Sequence, residues 1–158
     1  MQSSAEQLFT RRPVDYVKWA LREATSSRIA EAEKLYETIF SASVETLTSA
    51  GMANPFVGAA NDGALLRAKC ALVASRLVAG SRALILDEPG TGLGRSVALA
   101  FVRATVSAAD ERSTPVILIS HNPTWYSAVV RSRLELRMAS EAPGLHAVRE
   151  LVLERAAA

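Results

Sequence analysis

The sequence predicts an α/β fold: an N-terminal helical part, a partial parallel sheet with crossover helices, and a C-terminal hairpin. Three observations carry this. Ile29, Leu35, Ile39, Phe40, Val44 and Leu47 sit close to helical spacing and give one apolar face. Residues 82–86 (RALIL) and 115–120 (PVILIS) are short apolar runs on either side of a helix-patterned stretch, as in a buried parallel sheet with helical crossovers. Finally, Leu134, Leu136 and Met138, then Leu151 and Leu153, alternate with polar residues around a turn, as antiparallel strands do.

Each element follows in order. The first ten residues are polar and expected to fray. Pro13 suits the first position of a helix running to about Ala24. Ser26 or Ser27 then caps a second helix, and Gly51 stops it. Residues 52–62, with Pro55, Gly58 and Asn61, read as a loop. Helices are expected over 64–79 and 96–109, and Asn122 can cap another, opened by Pro123 and reaching about Ser132. Glu141–Gly144 is the expected hairpin turn, with helix the alternative after Leu145. The organisation is a helical segment over 1–62 and a sheet-bearing segment over 63–158.

Composition narrows the function classes. A chain of 158 residues, 49% hydrophobic and 22% charged, can bury a real core and is not a disordered segment. The net charge of +2 is a small excess, so a nucleic-acid partner is not expected. Cys70 is the only cysteine, which excludes an internal disulfide and suits a reducing compartment. No signal-like stretch stands in residues 1–12, and no apolar run approaches the ~20 residues of a membrane span. The expected location is the cytoplasm, peripheral to the inner membrane only through a partner.

Chemistry concentrates at the ends of the two apolar strands. Asp87 and Glu88 emerge together at the C-terminal end of the first, where open parallel sheets bind ligands. One carboxylate could hold Mg²⁺ through water while the other takes a proton from attacking water. The plainer reading is a solvated acidic turn. The second strand ends in Ser120-His121-Asn122; a His there could donate to a phosphate, or simply cap or pack.

In order, spacing and residue type, LILDEP (84–89), GTGLGR (90–95), the helix over 96–109 and VILISHNP (116–123) resemble the ABC ATPase family across roughly residues 65–138. The resemblance implies a P-loop NTPase-like core with ATP and Mg²⁺ as cofactors. In it Asp87 would coordinate Mg²⁺ through water, Glu88 would be the catalytic base and His121 would contact the γ-phosphate. Gly90, Thr91 and Gly92 would belong to a D-loop beside the nucleotide and a partner subunit. The helices over 13–50 sit where that family carries its helical subdomain.

Three departures bear on function. A phosphate loop requires G-x-x-x-x-G-K-[ST], and none of Lys18, Lys34 and Lys69 follows a glycine. Where the family's Leu-Ser-Gly-Gly-Gln signature falls, residues 61–67 read NDGALLR, with Asp62 a possible helix cap. The D-loop aspartate expected after Leu93 is Gly94. The glycines at 90, 92 and 94 do not make a dinucleotide fingerprint either, being spaced G-x-G-x-G.

The function so implied is an ABC-type ATPase half or subunit that brings the catalytic carboxylates to an assembly, with transport as the family's usual process. Its partners would be a Walker A-containing half or a second ABC subunit, together with a membrane permease. An isolated monomer is not expected, since one apolar edge of the sheet would be uncovered. The alternatives are the C-terminal part of a longer ATPase, a degenerate non-hydrolysing scaffold or binding subunit, and an unrelated α/β domain. Trp125 and Tyr126 are expected to pack rather than stack an adenine, and Cys70 to lie in the core. His146 has no ligand partner at metal spacing.

Overall fold

Proline at 13 opens the first helix as expected, and the computed structural model describes residues 13–51, 60–138 and 148–155. The elements are α1 (Pro13–Ala20), α2 (Ser26–Ser49), α3 (Ala60–Val78), β1 (Leu84–Asp87) and α4 (Arg95–Asp110). After them come β2 (Val116–Ile119), a 3₁₀ turn (Pro123–Tyr126), β3 (Ser132–Met138) and β4 (Val148–Arg155).

α1 ends four residues short of expectation, because the chain turns where the Ala24 amide donates to the Leu21 carbonyl. Thr25, not Ser26 or Ser27, is the N-cap residue of α2, and its hydroxyl bonds the Ser27 hydroxyl instead of a helix amide. The expected apolar face holds. Leu35, Ile39, Phe40 and Leu47 are buried, and Ile29 and Val44 pack partly against the core. Gly51 follows the helix with φ +86°, a conformation that suits glycine. α3 begins earlier than predicted, at Ala60, so Asp62 falls inside its first turn and not at its N-cap.

One core runs through all four helices. It includes Val17 of α1, Ile39 of α2, Leu66 and Ala74 of α3, and Phe101 of α4. The Arg67 guanidinium lies 4.0 Å above the Phe40 ring and donates to the Tyr36 hydroxyl at 3.0 Å, joining α3 to α2. Cys70 is fully buried here, and desolvation pushes its thiol up to about 12. It is a neutral packing residue, as expected.

β1 and β2 pair in parallel, with Leu84 opposite Val116 and Asp87 opposite Ile119, and α4 is the crossover. The buried sheet that two all-apolar runs suggest is corrected on one side. Leu84, Leu86, Val116 and Leu118 turn inward, while Ile85, Ile117 and Ile119 are 65%, 52% and 50% exposed. Successive strand residues point to opposite faces, and the described helices cover one face only.

The helix expected from Pro123 to Ser132 is a single 3₁₀ turn. The Tyr126 carbonyl accepts the amides of both Val129 and Val130, which closes the chain on itself. From Ser132 the alternating pattern takes over, and β3 pairs antiparallel with β4, Leu136 opposite Leu151. The strand Val148–Arg155 replaces the helical alternative after Leu145. The turn expected at Glu141–Gly144, and His146, lie outside the described residues. No described helix is long and apolar enough to cross a membrane.

Candidate functional site

Parallel pairing brings the C-terminal ends of β1 and β2 side by side. The ladder runs one residue past β1, where the Glu88 amide donates to the Ile119 carbonyl at 2.9 Å. Glu88 then takes φ +43°, a left-handed conformation that costs a residue with a Cβ about 1–2 kcal/mol. Its carboxylate turns toward the neighbouring strand end, and Oε1 accepts the His121 amide at 2.5 Å. The His121 imidazole stands 4.0 Å from the same oxygen, beyond hydrogen-bond reach, and is 95% exposed. Glu88 and His121 are therefore joined, through the backbone amide of the histidine and not its ring.

Asp87 belongs to the other face. Two residues on from Ile85, it is exposed beside Ile119 on the bare side of the sheet. Among the described residues no group of three or more His, Cys, Asp or Glu could hold a metal ion. Mg²⁺ is commonly held by one or two carboxylates with waters and substrate phosphates. A single exposed carboxylate such as Asp87 could serve it only in that subordinate way, with most of the coordination left to water and phosphate.

The turn after β1 is tightly built. The Thr91 amide donates to the Glu88 carbonyl at 3.0 Å and the Leu93 amide to the Gly90 carbonyl at 2.9 Å. A Cβ at Gly90 would stand 2.7 Å from the Tyr126 hydroxyl and 3.4 Å from the Trp125 ring. Gly92 has φ +76°, and a Cβ there would meet Leu65 at 2.7 Å. Close packing thus accounts for glycine at both positions, and Thr91 lies exposed between them. Gly94 is the N-cap residue of α4 in extended conformation. Trp125 packs partly against the core and Tyr126 is buried, in keeping with the packing role expected of both. Burial raises the Tyr126 pKa, and the nearby Glu88 charge raises it further.

Two residues of this neighbourhood were not placed in the site from the sequence. Tyr126 reads as a packing residue in preference to an adenine-stacking one, yet its hydroxyl sets the space around Gly90. Lys69 reads only as a lysine without a phosphate loop, yet its Nζ donates to the Pro89 carbonyl at 3.0 Å. Partial burial lowers its pKa through desolvation. Comparison of the chain with models of known protein families finds no match, and comparisons with curated proteins and with solved structures find none either.

Proposed function

We propose that this chain is the Walker B-to-switch-histidine part of an ABC-type ATPase, contributing Glu88, His121 and Asp87 to ATP hydrolysis within an assembly. One observation carries the reading: a carboxylate at the end of one parallel strand, held in a strained backbone conformation against the end of the next. Non-glycine residues in such conformations concentrate at functional sites. Glu88 would accept the proton of the attacking water, its orientation fixed by the His121 amide. The exposed imidazole of His121 is free of the core and could reach the terminal phosphate as a donor. When bound with the nucleotide, Mg²⁺ would offset phosphate charge, with Asp87 its partner from this chain.

The triphosphate itself must be cradled by another segment or chain, because none of the lysines here follows a glycine. The exposed isoleucine face supports an assembled state, since parallel sheets are normally covered on both sides. A permease would join the assembly where the process is transport.

A second reading, a non-hydrolysing scaffold, is favoured by Gly94 in place of an aspartate and by the packing roles of Gly90 and Gly92. One substitution separates the two. In an assembly with a lysine-loop partner, Glu88→Gln should lower ATP turnover by roughly 10²–10⁴-fold while nucleotide binding persists. Glutamine keeps the side-chain shape and an acceptor oxygen but cannot take the proton. Phosphate-release kinetics beside a nucleotide-binding isotherm make the test, and unchanged turnover would leave the scaffold as the better account.

A further inference from the structure

We propose that Lys69 is a positioning residue for Glu88: from α3 it holds the turn after β1 in the shape that lays the Glu88 carboxylate on the His121 amide. The inference rests on the reading of Glu88 as the proton acceptor. It begins with the backbone carbonyls of that turn. Those of Glu88 and Gly90 accept amides from within the turn, from Thr91 and Leu93. The Pro89 carbonyl between them is reached by Lys69 Nζ, at 3.0 Å, across twenty residues of chain.

A lysine on a helix surface usually carries its ammonium to water. Here the side chain is half-buried, with no carboxylate partner among the described residues, and its Nζ is spent on a backbone oxygen. Pro89 is buried, so water is a poor substitute at that carbonyl. One helical turn earlier, Leu65 fills the space that a Cβ on Gly92 would need. Residues four apart share a helix face. That face of α3 therefore grips the turn at two points, Pro89 and Gly92, on the chain immediately after Glu88. A left-handed Glu88 persists only while its surroundings hold it there. Without the Lys69 tie, the 88–89 linkage can relax toward an ordinary φ and carry the carboxylate away from His121.

The test uses amide NMR of the full chain. An amide bonded this closely to a carboxylate resonates downfield of ordinary amides. Lys69→Met keeps the apolar stem and removes the donor, and should move the His121 amide upfield into the ordinary range. Lys69→Arg should restore the downfield position. In an assembly that hydrolyses ATP, Lys69→Met should lower kcat by roughly 10²-fold with KM for ATP little changed, the signature of a misplaced group. A His121 amide that stays downfield in a folded Lys69→Met chain overturns the proposal. If that variant does not fold, the unsubstituted chain decides: a scalar coupling across the Nζ–Pro89 hydrogen bond supports the tie, and its absence overturns it. An amide that responds as expected while no assembly hydrolyses ATP keeps the tie and removes the proton-acceptor reading instead, so the two failures are distinct.

Discussion

The connections on either side of α4 each hold a non-glycine residue in the left-handed region, and they do so for different reasons. At the exit, Ser113 has φ +53°. Its amide donates to the Asp110 carbonyl, and the Thr114 amide returns to Ala109, which is how helices commonly terminate. Glycine usually takes that position, and the exposed Ser113 side chain is not what holds it there. At the entry, Glu88 has φ +43° directly after a strand, with glycines at 90, 92 and 94 only a few residues on. The left-handed residue is nevertheless the glutamate, and its carboxylate closes the gap to the next strand. The same backbone state is incidental at one end and organised around a side chain at the other. Substitutions at and between the two ends can sharpen this contrast or break it.

Next to Glu88→Gln in turnover, the largest effect is expected at the entry turn itself. Gly92→Val must place a branched side chain at φ +76° and into Leu65. The backbone conformation alone costs about 1–3 kcal/mol, and the end of the Leu65 side chain must also move aside. Chemical denaturation should show the loss as a lower midpoint. A value near zero would mean that the turn moves freely, and the tight construction inferred for the entry would fall with it.

How much of this could be read beforehand depends on the range of the signal. The apolar face of α2 and the runs at 84–86 and 116–119 are local patterns, and the elements formed where those patterns lie. The helix expected after Pro123 had a local start signal, but it stops at Tyr126, well before β3 begins at Ser132, where the Val129 and Val130 amides turn back onto the Tyr126 carbonyl. That one side of the sheet is bare was not legible, since an all-apolar strand looks the same whether or not the chain supplies the second cover. In the site, LILDEP and SHNP marked Glu88 and His121, but not that the histidine would engage through its amide. The strained φ of Glu88 and the Lys69–Pro89 contact come from tertiary packing, which no spacing along the chain reveals.

Between the two ends, Thr105 gives a control on α4 that touches neither. Its hydroxyl is buried with no hydrogen-bond partner among the described residues. Thr105→Val keeps the shape and removes the unpaired group, so the chain should gain about 1 kcal/mol. Calorimetry should show a raised Tm, and the His121 amide should not move. A falling Tm would show that the hydroxyl has a partner which the described contacts omit.

The smallest effect, at Ser113, is the most discriminating when set beside the same change at Glu88, because the two are expected to differ in sign. Glycine at either left-handed position relieves about 1 kcal/mol of backbone cost, offset by about 0.5 kcal/mol or more of added freedom in the unfolded chain. At Ser113 little else changes, so Ser113→Gly should stabilise by about 0.5 kcal/mol. At Glu88 the same change also removes a hydrogen bond to a charged acceptor, worth about 1.5–3 kcal/mol. Glu88→Gly should therefore destabilise by about 1–2.5 kcal/mol on balance. Denaturation midpoints of the two single variants and the double variant measure both terms, and the separate sites should add. If Glu88→Gly stabilised as Ser113→Gly does, the carboxylate would not be holding the strand ends together. Its left-handed backbone would then be ordinary turn economy, and the structural argument for a functional glutamate at 88 would lose its support.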